Sequence, residues 1–299
     1  MTRLLISALA LAILAPAHAE DLRVTEPPEA VRATLKLAPF YKKYVSAGGF
    51  PVVGSEKVSD SGMLEAAWLI GRMLDGRDDI LKAMIANKVR CAVMAIGELT
   101  TDIPEHGDLT PKAYWDRRAR GLGATPQRPA VRGAEENLLC APGDPYREEN
   151  ILIHEFAHAI HEMGMNTVDP SFDTRLAAAY ASAMKAELWQ GKYAATNRME
   201  YWAEGVQSWF DTNRVNDRDH NHVHLRAQLK EYDPALAALI AEVFGDKEWR
   251  YTRPTARRDL PHLRSYDPAK LPAFAWPINL AEAASGRDGN LGASPPAEK

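Results

Sequence analysis

The chain has 299 residues, a formal net charge of -4, and 46% hydrophobic against 25% charged residues. That supports a substantial folded core, in one large domain or two lobes. Positive and negative residues are mixed, with no basic block or aromatic-basic interleaving, so a nucleic-acid role is excluded.

Residues 1–19 read as a secretory signal. Arg3 opens it, an apolar run follows, and Ala17-His18-Ala19 has the small-x-small pattern of a cleavage site. The mature chain is expected to begin at Glu20, without a transmembrane segment, because no later apolar run approaches the roughly 20 residues a bilayer requires. A periplasmic or secreted protein is the expectation. Cys91 and Cys140 are the 2 cysteines. In an oxidising compartment they read as one disulfide, closing a loop of about fifty residues and adding roughly 2–4 kcal/mol; two buried free thiols are the alternative.

Residues 20–38 read as an extended lead or a short capping element, and 50–54 as a short strand or an extended packing segment. Residues 59–74 form a helix with Leu64, Ala67, Leu69 and Met73 inward, and 79–87 a second with Ile80, Met84 and Ile85 inward. Residues 89–95 read as a strand. Residues 98–114 are turn-rich. Arg117, Arg118 and Arg120 read first as a solvated face and second as a carboxylate clamp near a cleft. Residues 121–146 read as largely irregular. A helix starting within 147–150 is expected to stop at Gly164, with Glu148 and Glu149 in its first turn. Further helices are expected over 173–191, 200–209 and 232–244, the second carrying Tyr201, Trp202, Val206 and Trp209. His220, His222 and His224 alternate and read as a turn or cleft rim before a second metal site. Residues 261–277 read as ordered coil, and 284–299 as a disordered tail. The division expected is a lobe over 20–140 packed on a catalytic region over 141–280.

The chemistry centres on His154-Glu155-Phe156-Ala157-His158, set in the apolar run Ile151, Leu152, Ile153, Phe156, Ala157, Ala159, Ile160. On a helix His154 and His158 fall one turn apart on one face, where both imidazoles can meet one zinc ion. Glu155 is displaced around the helix and is positioned to act as general base on a water. A catalytic zinc needs a third protein ligand. A histidine six residues after His158 is lacking. His161, only three residues on, is crowded against the same ion and reads as a neighbouring or surface histidine. Glu200 and Glu204 are one helical turn apart; one carboxylate can bind zinc while the other accepts a ligand histidine's ring N–H.

The chain then carries Tyr193-Ala194-Ala195-Thr196-Asn197-Arg198-Met199-Glu200-Tyr201-Trp202-Ala203-Glu204. Together with His154-Glu155-Phe156-Ala157-His158 this resembles the gluzincin zinc proteases, and within them the catalytic domain of anthrax toxin lethal factor and bacterial and fungal proteins with similar domains. The resemblance implies an α+β, mainly helical zincin-like fold and an endopeptidase acting on a peptide or protein substrate. It implies His154, His158 and Glu200 as zinc ligands and Glu155 as base. Tyr193 would hydrogen-bond the developing oxyanion or assist the leaving group, and Glu204 would stand behind the ligands. A zinc-stabilised, non-catalytic binding module of the cell envelope and a hydrolase of a non-protein amide are the competing readings.

Overall fold

The computed structural model describes residues 22–280. The expected signal segment and the tail beyond 280 lie outside the described residues. The architecture is α+β: helices gathered about a four-stranded sheet in the order β1-β2-β3-β4. Strands β1 (Lys43–Ala47) and β2 (Phe50–Gly54) form an antiparallel hairpin. Its turn is Gly48-Gly49, with φ of 60° and 91°, the left-handed pair a two-residue hairpin loop requires. Strands β3 (Arg90–Met94) and β4 (Ala130–Ala134) then add in parallel.

Two helices bridge β2 and β3. Helix α1 (Asp60–Met73) is capped by the Ser59 side chain, which accepts from the Gly62 N–H. Helix α2 (Asp78–Ala86) turns Ile80, Ala83 and Met84 inward, while Ile85, expected inward, is exposed. The strands alternate as their pleat dictates. Val52, Cys91, Val93 and Val131 join the main core, and Val53, Ala92, Met94 and Ala134 join a smaller one on the other face.

Strand β4 falls in the stretch expected to be irregular. Its sequence, Ala130-Val131-Arg132-Gly133-Ala134, has too little β-branched or alternating content to signal a strand. It is a strand because it pairs with β3, a tertiary decision. Gly133 lets helix α3 (Ile151–Ala159) lie directly on it: a Cβ there would sit 3.2 Å from Leu152 Cβ. Helix α3 does not stop at Gly164. It continues as a π-helical turn, Ile160–Met165, and Gly164 serves close packing, since a Cβ there would lie 2.7 Å from Ile80 Cγ2.

Helix α4 (Phe172–Lys185) ends six residues sooner than 191, because the chain then reverses through Glu187 and Trp189 at positive φ. That reversal buries Trp189, whose indole N–H donates to Asp233. Helix α5 (Arg198–Trp209) carries the aromatic set, with Tyr201, Trp202, Val206 and Trp209 all fully buried. The expected final helix over 232–244 is two pieces. One ends at Tyr232, and Asp233 caps α6 (Pro234–Phe244) with Pro234 at its first position.

The expected Cys91–Cys140 disulfide is absent; both thiols are free. Cys91 is on a central strand with its side chain wholly inside the main core. Cys140 sits in a turn at φ 53° beyond β4, its Sγ 4.0 Å from the Asn137 carbonyl oxygen. Burial pushes the Cys91 thiol up to about 12, which keeps it an inert packing group.

Candidate metal centre

Two helix starts place the ligand candidates. Asn150 caps α3, its side chain accepting from the Ile153 N–H at 3.0 Å, and the helix then presents His154, Glu155 and His158. Glu148 and Glu149 precede this cap and so lie outside the first turn where they were expected. Asn197 caps α5, accepting from the Met199 and Glu200 N–H groups at 2.8 and 3.0 Å, which fixes Glu200 in the first turn. The two helices are pinned together by the Trp202 indole N–H, which donates to the Ala157 carbonyl at 2.9 Å.

The result is a tight cluster. His154 Nε2 lies 3.1 Å from His158 Nε2 and 3.1 Å from Glu200 Oε2, and His158 Nε2 lies 3.4 Å from that same oxygen. Donors spaced at about 3.3 Å are what a tetrahedral ion with bonds near 2.0–2.1 Å requires. Among the described residues, His154, His158 and Glu200 are the group whose donor atoms could share a metal ion. His161 is outside it: the ring is buried and bonded to Asp173 at 3.0 Å, so it ties α3 to α4 and is not a surface residue. The alternating histidines form no second centre among the described residues.

The surroundings favour a cation. Burial opposes charge on His154, but Glu200, Glu155 and Glu204 together raise its imidazole to about 10. Burial likewise opposes charge on Glu200, yet His158 and His154 hold it well below the usual carboxylate range. Three carboxylates around two imidazoles demand positive charge, which a proton or a divalent ion can supply. Zinc fits this donor set, because both Nε2 atoms and the Glu200 oxygen converge at the spacing of ligands on one ion.

Behind the ligands lies a network that sequence reasoning caught only in part. His154 Nδ1 is 2.8 Å from Gln207 Oε1 and 3.5 Å from Glu204 Oε1. Gln207 Nε2 donates to Glu149 at 3.0 Å, which turns its oxygen toward the imidazole. Gln207 is thereby placed to accept a ring N–H on Nδ1, the tautomer that would leave Nε2 free to coordinate. Glu204 is buried beside it and pairs with His220 Nε2 at 3.2 Å, while Asn213 donates to it at 3.0 Å. Gln207 lies seven residues after Glu200, two turns along one helix face, and that spacing was the signal available.

Tyr193 stands beside the ligands, its ring 6.4 Å from that of His154 at 28°. Burial, then the nearby Glu200, raises its phenol above the ordinary range, so it remains an O–H donor. Glu155 is half-buried on the wall of an open cavity of about 300 Å³ whose lining also includes His154, Tyr193, Arg118, Arg214 and His220. The arginine cluster is not the solvated face expected first. Arg120 is fully buried and ion-paired with Glu136, and Arg117 and Arg118 line the cavity.

No protein-family model and no curated protein matches the chain. Among solved structures it is similar to the Pro-Pro endopeptidase PPEP-2 from Paenibacillus alvei, with 19% sequence identity, a TM-score of 0.38, and coverage of 64% of this chain and 96% of that one. A likeness that distant carries no functional weight, and the site's own geometry has to supply the argument.

Proposed function

We propose that this chain is a zinc-dependent peptidase that hydrolyses peptide bonds with Glu155 as general base. The observation that carries the reading is the convergence of His154, His158 and Glu200 at ligand spacing, with Glu155 on the next position of the same helix and facing an open cavity. The motif pair that resembles the lethal factor catalytic domain supports the same assignment of roles. Residues 1–19 support a periplasmic or secreted location.

His154, His158 and Glu200 would hold the ion. When bound there, zinc acidifies water and polarises a carbonyl. The work of the chain's own groups follows from their places. Gln207 keeps the proton of His154 on Nδ1, so that Nε2 offers its lone pair inward. Glu155 takes the proton of the attacking water on its carboxylate and returns it to the departing amine. Tyr193, held protonated by burial, donates its O–H to the substrate oxygen as negative charge develops there.

The test is Glu155→Gln. The variant is expected to bind zinc at the parent stoichiometry, read by atomic emission, and to lose roughly 10²–10⁴ in turnover on a peptide library. Cleavage at the parent rate would remove Glu155 from the mechanism.

A further inference from the structure

The cavity beside Glu155 is lined by several arginines, not all of which have a carboxylate partner. Most charged groups around it are paired. Arg214 lies 3.2 Å from Glu149 and 3.3 Å from Asp217; Glu204 is held by His220; Arg120 pairs with Glu136. Arg117 lies over the Trp276 ring at 4.5 Å.

Arg118 is different. Like Arg117 it lines the cavity with its Nε buried and without a hydrogen-bond partner, and among the described residues no carboxylate forms an ion pair with it; unlike Arg117, it has no aromatic ring beneath its guanidinium among those residues, and it lies beside Glu155 and Tyr193. Burial works against its charge, but the neighbouring Tyr193, Tyr114 and Glu155 more than offset this and raise it. Behind the wall, Arg132 is fully buried on β4, donating to Thr100 and to no carboxylate among the described residues. Burial and then Arg120 push it down to about 9, so it still carries its charge at neutral pH. A guanidinium buried without a carboxylate, as at Arg132, is costly, and the half-buried Arg118 shares that cost at its sealed Nε. The cost is offset once an anion of the right shape arrives, and a guanidinium fork fits a carboxylate with two parallel hydrogen bonds.

We propose that Arg118 receives a carboxylate of the substrate in this cavity, making the enzyme selective for peptides with an acidic group next to the scissile bond; this rests on the peptidase reading above. Two sources share that chemistry, an Asp or Glu side chain and the free end of a peptide. Arg118 acts here as a specificity residue, and discrimination between a carboxylate and its amide isostere is the property it controls.

The experiment uses three octapeptide pools, all N-acetylated and random except at a fixed central position. The first has Glu there and an amidated end, the second Gln and an amidated end, the third Gln and a free carboxyl end. Cleavage is followed by mass spectrometry, and retention is measured on immobilised Glu155→Gln protein. The native enzyme is expected to cleave the Glu pool at least about tenfold faster than the amidated Gln pool. Arg118→Gln should bring that ratio close to one, and Arg118→Lys should keep part of it. Preference for the third pool in place of the first assigns the pocket to a chain end. A ratio that survives in Arg118→Gln, or native enzyme without any preference for a carboxylate, overturns the proposal. If no pool is cleaved, the peptidase reading falls and retention alone decides. Stronger retention of a carboxylate pool, lost in the Glu155→Gln, Arg118→Gln double variant, sustains the pocket, and equal retention of all pools removes it. Arg118→Lys and a thermal melt of each variant separate loss of recognition from loss of folding.

Discussion

At the scale of single residues, the ligand cluster and its support differ in how openly the sequence displays them. His154, Glu155 and His158 announce themselves, because only a helix makes that spacing chemically useful. Gln207 does not, since a glutamine in a helix has many ordinary uses. Its importance comes from its oxygen lying 2.8 Å from His154 Nδ1 while its amide N–H is engaged by Glu149. Gln207→Leu keeps the volume and removes the acceptor. Zinc affinity, measured by competition with a chelator of known strength, is expected to fall about 10–100-fold with the helices still formed. Parent affinity in that variant would transfer the orienting role to Glu204. His220 belongs to the same lesson. Its alternation with His222 and His224 suggested a rim or a second site, and its actual partner is the Glu204 carboxylate on another element.

At the scale of elements, the approach to the site depends on a strip of chain with almost no side chains. Leu122 pairs by a single antiparallel bridge with Arg132 of β4. On either side of it are Gly121 and Gly123, which touch α3. A Cβ on Gly121 would lie 2.3 Å from Ile151 Cγ2 and 2.7 Å from Glu155 Cγ, and one on Gly123 would lie 2.9 Å from His158 Cβ. Gly121→Ala therefore forces this strip away from the helix. It is expected to cost about 1–3 kcal/mol in denaturant unfolding and to lower turnover under conditions where the protein remains fully folded. Unchanged stability would mean that the strip has room to move. The same elements show why helix ends were harder to read than helix existence. Gly164 has the composition of a stop signal, yet it marks where α3 and α2 touch.

At the scale of the whole molecule, stability rests on burial without a covalent staple among the described residues. Reductant is expected to leave the thermal midpoint unchanged; the half-buried Cys140 should react with a thiol reagent in the native state and the fully buried Cys91 only after denaturation; a reductant-sensitive midpoint would restore the disulfide. The pH dependence has an identifiable contributor outside the His154, His158 and Glu200 cluster. His106 is 1% exposed, and burial, then Arg132 and Arg128, lower its imidazole from 6.5 to about 3. Below 6.5 the unfolded chain therefore binds a proton that the folded chain refuses until about 3. The folded state accordingly loses stability as pH falls through that window, by about 2 kcal/mol at pH 5 from this group. Urea unfolding of native protein and His106→Leu at pH 7 and pH 5 checks the sign. The variant should lose less stability between the two, and equal losses would exclude His106 as the cause.

By itself the sequence determined what local pattern can carry. It contained the helix with two imidazoles one turn apart, the buried aromatic helix that bears Glu200, the Arg90–Met94 strand, and the motif pair that suggested a peptidase. Those features depend on spacing along one element, and spacing is written in the chain. Only the tertiary structure decided β4, which exists through its pairing with β3, the free state of Cys91 and Cys140, and the use of Gly164 as a contact. It also decided that Gln207 Oε1 lies nearer His154 Nδ1 than Glu204 Oε1 does, and that Arg118 lines the cavity without an ion pair among the described residues. Each of these depends on the distance between groups far apart in sequence, and that distance is set by packing of whole elements, which no local pattern records.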